Sequence, residues 1–212
     1  MKLSINLFTT LDGVAQGPGS AEEDTRNGFT KGGWLIPYAD QDMGRIVDDE
    51  WYRHAEVILL GRRTYDTFYP HWSHVTDPND LVATTLNSAP KYVVSSTLGN
   101  PPWNNTTVLG PDFMDRIAEL KERPGKEIQV HGSVRLAQTL HAAGLVDVYR
   151  LLIFPVALGQ GTRLFTDDSP AGSFEVLSST TTSTGAIGLT MDPGQFRSGQ
   201  AGIVDGKDTV IS

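Results

Sequence analysis

Hydrophobic and polar positions alternate from the start of the chain. Leu3, Ile5 and Leu7 fall on one side and Ser4, Asn6 and Phe8 on the other, so residues 2–9 read as a strand, closed by the turn signal Leu11-Asp12-Gly13. Residues 13–37 are Gly-rich and polar, with Trp34 near the end, and read as a long loop, functional or mobile. From Asp40 to His54 the period changes: Met43, Ile46, Val47 and Trp51 share one helical face, and Asp40 stands where a carboxylate caps free N–H groups. Residues 56–60 form a short β run, apolar from Val57 to Leu60, followed by a helix start at 65–68. No element is assigned between Phe68 and Lys91. Strands are expected at 91–95 and 106–109. A helix opened by Pro111 carries Phe113, Ile117 and Leu120 and stops at Pro124-Gly125. A strand at 127–130 turns through His131-Gly132-Ser133 into a helix carrying Leu136, Ala137 and Leu140, closed by Gly144. Residues 148–156 form a strong strand, and 174–184 with 187–191 a closing antiparallel pair.

Strands alternate with helices, so the fold class is α/β: a mostly parallel, mixed central sheet flanked by helices, ending in an antiparallel hairpin. With 212 residues, one domain is expected over 1–192, followed by a polar tail, 193–212, with a short strand at Thr209 to Ile211. Seventeen Lys and Arg against 25 Asp and Glu leave a net charge of −8, the wrong sign for a protein that coats nucleic acid or an anionic membrane. No apolar run approaches a membrane span or a secretory signal core, so the expected compartment is the cytoplasm and the Asn104-Asn105-Thr106 sequon has no role. Cysteine is absent, which excludes disulfides, thiolate catalysis and Cys-ligated metal. His71 and His74 lack the surrounding acids of a metal site, and no metal is expected.

In open α/β sheets ligands bind at the carboxyl ends of parallel strands. Three such ends carry phosphate-friendly residues: Gly61-Arg62-Arg63-Thr64, Ser95-Ser96-Thr97 and Gly132-Ser133-Val134-Arg135. Glycine permits close backbone approach, a helix start offers free N–H groups, and arginine offers a fork of donors. Taken singly each is an ordinary turn; together they point to a ligand of di- or triphosphate type. The standard Gly-x-Gly-x-x-Gly and Gly-Lys-Ser/Thr fingerprints are absent.

The run Val57-Ile58-Leu59-Leu60-Gly61-Arg62-Arg63-Thr64-Tyr65 resembles the Gly-Arg-x-Thr segment of dihydrofolate reductase-like proteins, and Ile128 to Ser133 with Leu136 resembles their second glycine turn. Leu145-Val146-Asp147, Pro155 to Phe165 and the opening Thr10-Leu11-Asp12-Gly13 are similar to the reductase half of the riboflavin-biosynthesis deaminase-reductase. The resemblance spans roughly 1–192 and implies an NADPH-dependent reductase acting on a small heterocycle, carbonyl or imine. It implies that Gly61, Arg62, Arg63 and Thr64, with Ser95, Ser96 and Thr97, hold the adenosine and its 2′-phosphate. It places Gly132, Ser133, Val134 and Arg135 against the pyrophosphate. The nicotinamide and substrate would lie by Thr9, Thr10, Asp12 and Trp34, with the Leu158–Gly161 loop on the border.

Folate reductases carry an acid on the first helix, and Asp40 is the nearest match; its other reading is a plain helix cap. The second turn is Gly132-Ser133 where folate reductases have Gly-Gly, and no deaminase zinc signature precedes the reductase part. His131 reads as a buried histidine, and Trp34, Trp51, Trp72 and Trp103 as core or pocket wall. The expected partners are a small-molecule substrate and, in a homodimer, a second copy of the chain. The alternative function is a nucleotide-binding or regulatory module of the same fold without turnover.

Overall fold

The computed structural model describes residues 1–204 and 207–211. Its centre is an eight-stranded sheet in the order β4-β3-β2-β5-β1-β6-β8-β7. The strands are β1 (Lys2–Thr10), β2 (Ala55–Gly61), β3 (Lys91–Val94), β4 (Thr106–Leu109), β5 (Glu127–His131), β6 (Val148–Phe154), β7 (Gly172–Thr181) and β8 (Ile187–Gln195). The first six pair in parallel; β8 joins β6 antiparallel and β7 joins β8 antiparallel. The mixed sheet and its closing hairpin are therefore those expected. β8 runs past Asp192: Pro193, Gly194 and Gln195 pair with Phe174, Ser173 and Gly172. In the tail, β9 (Gln200–Val204) and β10 (Lys207–Ile211) form a separate two-stranded sheet.

The central parallel strands β1, β2, β5 and β6 are buried on both faces, which is why β2 reads as an apolar run from Val57 to Leu60. One face carries Leu3, Ile5, Leu7, Val57, Leu59, Ile128 and Val130. It packs on α4 (Phe113–Lys121) through Ile117 and Leu120 and on α5 (Val134–Ala142) through Leu136, Ala137 and Leu140. The other face carries Ile58, Leu60, Leu152 and Phe154 against Trp34, Trp51, Tyr52, Tyr65, Leu86 and Trp103.

The helix expected over 40–54 is broken. α1 (Gln41–Ile46) widens into a π turn, Val47–Trp51, and a 3-10 turn, Tyr52–His54. Gln129 Nε2 donates to the Trp51 carbonyl at 2.7 Å, so a strand side chain satisfies a carbonyl at the point where the helix changes pitch. α2 (Arg62–Trp72) follows β2 without a linker, and α3 (Leu81–Ser88) fills a stretch that shows no apolar period in the sequence.

The second face also holds a polar strip that alternation alone does not reveal. Ser4, Asn6, Glu127, Gln129, His131 and Arg150 are all buried there. Arg150 donates two hydrogen bonds to the Glu127 carboxylate, at 2.7 and 2.8 Å. Ser4 Oγ and Gln129 Nε2 donate to the same carboxylate. Burial alone would raise the Glu127 carboxyl; Arg150, Gln129 and Ser4 bring it below the usual range. Among the described residues no helix is long and apolar enough to cross a membrane.

Candidate active site

The carboxyl ends of β2, β3, β4 and β5 lie side by side, so the three segments singled out in the sequence share one edge. The helices that leave this edge differ from the others in how they begin. α1 and α3 are capped by aspartates: Asp40 accepts from Met43 N–H at 2.7 Å and Asp80 from Ala83 N–H at 2.8 Å. α2, α4 and α5 have no side-chain cap. Phe113 N–H donates to the Gly110 carbonyl and Val134 N–H to the Gly132 carbonyl, at 3.1 and 3.0 Å; the other first-turn N–H groups are left for another acceptor, and the helix dipole favours an anion there.

A hollow of about 490 Å³ lies between the ends of β2, β3 and β4, lined by Arg62, Ser95, Ser96, Thr97, Pro111 and Phe113 among others. Arg62 Nε donates to Asp66 at 2.8 Å, one helical turn on, and Arg62 Nη1 lies 3.4 Å from Thr97 Oγ1. That leaves the outer donors of the guanidinium at the hollow. Ser95 Oγ accepts from the N–H groups of Thr97 and Leu98, at 3.1 and 3.0 Å, and so shapes the loop. Ser96 and Thr97 are exposed, as is Arg63, which does not line the hollow.

The turns after β2 and β5 touch. Gly61 N–H donates to Ser133 Oγ at 2.9 Å, and Ser133 Oγ lies 2.9 Å from Thr64 Oγ1 and 3.1 Å from the His131 carbonyl. Gly132 has φ +61°, and a Cβ there would sit 3.2 Å from Thr64 Cγ2, so glycine is required on both counts. Val134 is buried and Arg135 exposed in the first turn of α5.

At the end of β1, Thr9 is buried on the face it shares with Leu7. Thr10 Oγ1 donates to Asp12 Oδ1 at 2.6 Å. The Asp12 carboxylate also accepts from Leu158 N–H (3.1 Å), Gly159 N–H (2.7 Å) and Arg163 (3.2 Å). Burial works to raise this carboxyl, but the hydrogen bonds from Thr10, Leu158 and Gly159 hold it well below the usual range. Asp12 therefore ties the β1 turn to the Leu158–Gly161 loop. Trp34 is buried, with Nε1 donating to the Gln16 carbonyl at 2.8 Å and its ring edge on Phe154 at 5.6 Å; it is a wall. His131 is buried, stacked 4.5 Å from Tyr52, and donates from Nε2 to Gln129 Oε1 at 3.0 Å. Burial, with Arg150 nearby, lowers its pKa to about 3 and keeps the ring neutral.

Asp40 has the contacts of its second reading, the helix cap. Besides capping α1, its carboxylate accepts from Thr184 N–H at 3.0 Å, Thr184 Oγ1 at 2.9 Å and Ser183 Oγ at 3.3 Å. Bonds from Met43 first, then Thr184 and Ser183, lower its pKa to about 2. Its geometry is that of a cap joining α1 to the β7–β8 turn. Asp12 and Trp34, expected against substrate, likewise spend their polar atoms inside the protein. The sequence reading missed Asp66, legible as the acid four residues after Arg62, and the Gly110–Phe113 wall of the hollow, which has no signature of its own.

The family of RibD C-terminal domains matches residues 1–187. An uncharacterized protein of Bacillus subtilis, YyaP, is 30% identical over 188 residues, 88% of this chain and 92% of that protein. The structure is similar to that of a putative riboflavin biosynthesis protein from Shewanella sp. PV-4, with a TM-score of 0.69 and 22% identity over 92% of this chain and all of that one. It is also similar to dihydrofolate reductase from Enterococcus faecalis complexed with NADP(H), with a TM-score of 0.57 and 12% identity over 91% of this chain and 96% of that one. The match over residues 1–187 and the fold agree: the chain belongs to the RibD C-terminal domain family, a reductase-type family with the dihydrofolate reductase-like fold.

Proposed function

We propose that the protein is an NADPH-dependent reductase that transfers hydride to a small heterocyclic, carbonyl or imine substrate. The observation that carries this reading is the row of uncapped helix starts, α2, α4 and α5, along the edge where Arg62 and the hydroxyls of Ser96 and Thr97 face one hollow. Such an edge fits a ligand with several phosphates. Arg62, Ser96 and Thr97 would hold the 2′-phosphate, the first turns of α2 and α5 with Arg135 would face the pyrophosphate, and Thr9 would border the nicotinamide. When bound, NADPH supplies the hydride. The chain's own part is to hold donor and acceptor carbons together and to exclude water. With Asp12 and Asp40 both ionised and engaged, the proton that accompanies the hydride comes from solvent, which suits a carbonyl or imine better than a pterin.

Fluorescence titration with NADPH and NADH, then absorbance at 340 nm with a panel of carbonyls, imines, pyrimidines and pterins, tests the reading. NADPH is expected to bind about 10- to 100-fold more tightly than NADH, the value of one charge-assisted phosphate contact. Equal affinities would sink the 2′-phosphate site. One observation favours the second reading, a nucleotide-binding module without turnover: neither aspartate near β1 is placed to deliver a proton. Tight NADPH binding with no oxidation across the panel would establish that module. The homodimer belongs to the same proposal, supported by Val176 and Leu177, both more than half exposed on the outer edge strand β7; sedimentation at micromolar concentration tests it.

A further inference from the structure

We infer that Ser133 is a positioning residue: its hydroxyl is a clasp that fixes the distance between the two strand-end turns, and it binds no ligand itself. The inference rests on the cofactor reading above and goes beyond it, because Ser133 by its place in the turn is expected to touch phosphate.

Ser133 occupies the N-cap position of α5, where a serine hydroxyl ordinarily accepts from an N–H of the first turn. Here it makes no such bond. The hydroxyl turns across to the neighbouring strand end, 72 residues earlier in the chain, and accepts from Gly61 N–H at 2.9 Å. Its own proton is shared between Thr64 Oγ1 at 2.9 Å and the His131 carbonyl at 3.1 Å. One buried oxygen thus has its only proton and one of its two lone pairs taken by protein groups, and it keeps no donor for a phosphate oxygen.

The diversion has two effects. It leaves the Arg135 and Leu136 amides in the first turn of α5 without a side-chain cap and open to an anion, Val134 N–H being bonded to the Gly132 carbonyl at 3.0 Å. It also ties α5 to the start of α2, with Gly61 at the N-cap position of α2 and Thr64 in its first turn. Thr64 meets the same turn through its methyl group, which lies 3.2 Å from where a Gly132 Cβ would stand. The β2 and β5 strands are parallel neighbours in the sheet, so their register fixes the lower ends of the two turns while the clasp fixes the upper ends. A dinucleotide lying across both turns needs that spacing; a mononucleotide seated on one turn does not. A Gly-Gly turn has no such hydroxyl, so the clasp distinguishes this chain's site from one built on two glycines.

The test uses the full chain and Ser133→Ala, with two readouts. The first is hydrogen exchange of the Gly61 amide by NMR, which needs no ligand. The second is titration with NADPH and with two fragments, adenosine 2′,5′-bisphosphate and reduced nicotinamide mononucleotide. Exchange at Gly61 is expected to speed up about tenfold or more as its acceptor is lost. The NADPH dissociation constant is expected to rise about tenfold. Both fragments are expected to bind within about twofold of their affinity for the parent protein. Thr64→Val is expected to weaken NADPH in the same way, and the two substitutions together to cost less than their sum, because both open one clasp. Unchanged exchange at Gly61 would overturn the clasp. Fragments that weaken in step with NADPH would overturn it too, since they would show Ser133 touching phosphate directly. A parent protein that binds neither NADPH nor NADH would fail the cofactor reading, while the exchange measurement would still decide the clasp.

Discussion

Lys91 is wholly buried, and no carboxylate pairs with it among the described residues. Its Nζ donates to the carbonyls of Leu86 (2.7 Å) and Ala89 (3.0 Å), closing the end of α3, and lies 4.9 Å from the centre of the Trp103 ring. Burial lowers its pKa from 10.5 to about 8. The unfolded chain then holds the proton more tightly than the folded one, so between about pH 8 and 10.5 folding stability rises with pH. Urea midpoints of the parent protein are expected to climb over that window relative to Lys91→Met, in which this contribution is absent; parallel profiles would show the ammonium to be unpenalised. Asp40 gives the same slope in a lower window, but there folding favours the charged form. Its carboxyl is held at about 2 in the folded state, so its contribution is present above pH 3.8 and is lost as pH falls toward 2. Asp40→Asn keeps one acceptor for Met43 but turns an amide N–H₂ toward the donors of Thr184 and Ser183. The variant is expected to melt below the parent at pH 7 and above, and to converge with it near pH 2. NADPH oxidation on any accepted substrate is expected to stay within about threefold, far from the 10²- to 10⁴-fold loss of a missing general acid. A loss of that size with an unchanged melting temperature would return Asp40 to the reaction.

Where burial is one-sided or complete, elements follow the hydrophobic period, and there the sequence was legible. The strands β1, β2 and β5 and the helices α4 and α5 stand within a residue or two of their expected bounds, because Leu3-Ile5-Leu7, Val57 to Leu60 and Ile117-Leu120 have a face to fill. α3 was missed because its core contribution is two residues, Ala83 and Leu86, among Thr84, Thr85, Asn87 and Ser88, and its stability comes from the Asp80 cap and the Lys91 ammonium rather than from a stripe. The break after α1 depends on Gln129, 78 residues beyond the carbonyl it binds, and no local pattern contains it. The polar strip on β1, β5 and β6 escaped for the same reason: alternation puts Ser4 and Asn6 on the side opposite Leu3 and Ile5, and it takes partners on two other strands to make them interior. This strip gives the element-scale prediction. Glu127 and Arg150 are each about nine-tenths buried and bound to each other twice. Glu127→Gln leaves an uncompensated guanidinium and is expected to cost about 3–5 kcal/mol in urea unfolding. Replacing both residues by Met is expected to cost less than Glu127→Gln alone, and a double variant weaker than the single one would show that the strip is held by its geometry rather than by the charge pair.

At the scale of the whole chain, the site was legible in outline and not in its bonds. Strand-end glycines and arginines mark an edge for phosphate from sequence alone. Which hydroxyls and carboxylates stay free at that edge is decided by partners far along the chain, as Asp12 by Leu158 and Gly159, and Ser133 by Gly61. The end of the domain poses the same question of long-range pairing. Composition turns polar after Asp192, yet Pro193, Gly194 and Gln195 continue β8 opposite Phe174, Ser173 and Gly172. Phe174 is not a surface ornament: its ring packs 5.0 Å from Tyr149 and 5.6 Å from Phe165, beside the main core. Beyond Gln195 the character changes: Phe196 and Ile203 are strongly exposed and, among the described residues, β9 pairs with β10 in a sheet of two strands. Two shortened chains separate these regions. One ending at Gln195 is expected to melt within about 2 °C of the parent and to bind NADPH equally, because the two-stranded sheet adds little to the main core. One ending at Asp192 loses the rungs that hold β7 over Phe174 and is expected to melt about 4 °C lower or more, the shift that follows from losing about 1 to 2 kcal/mol in a domain of this size. Its NADPH affinity is expected to stay unchanged, since β7 lies at the opposite edge of the sheet from the β2–β4 hollow. Equal melting of the two shortened chains would place the end of the folded unit at Asp192, and a large drop in the longer one would make the tail part of the core.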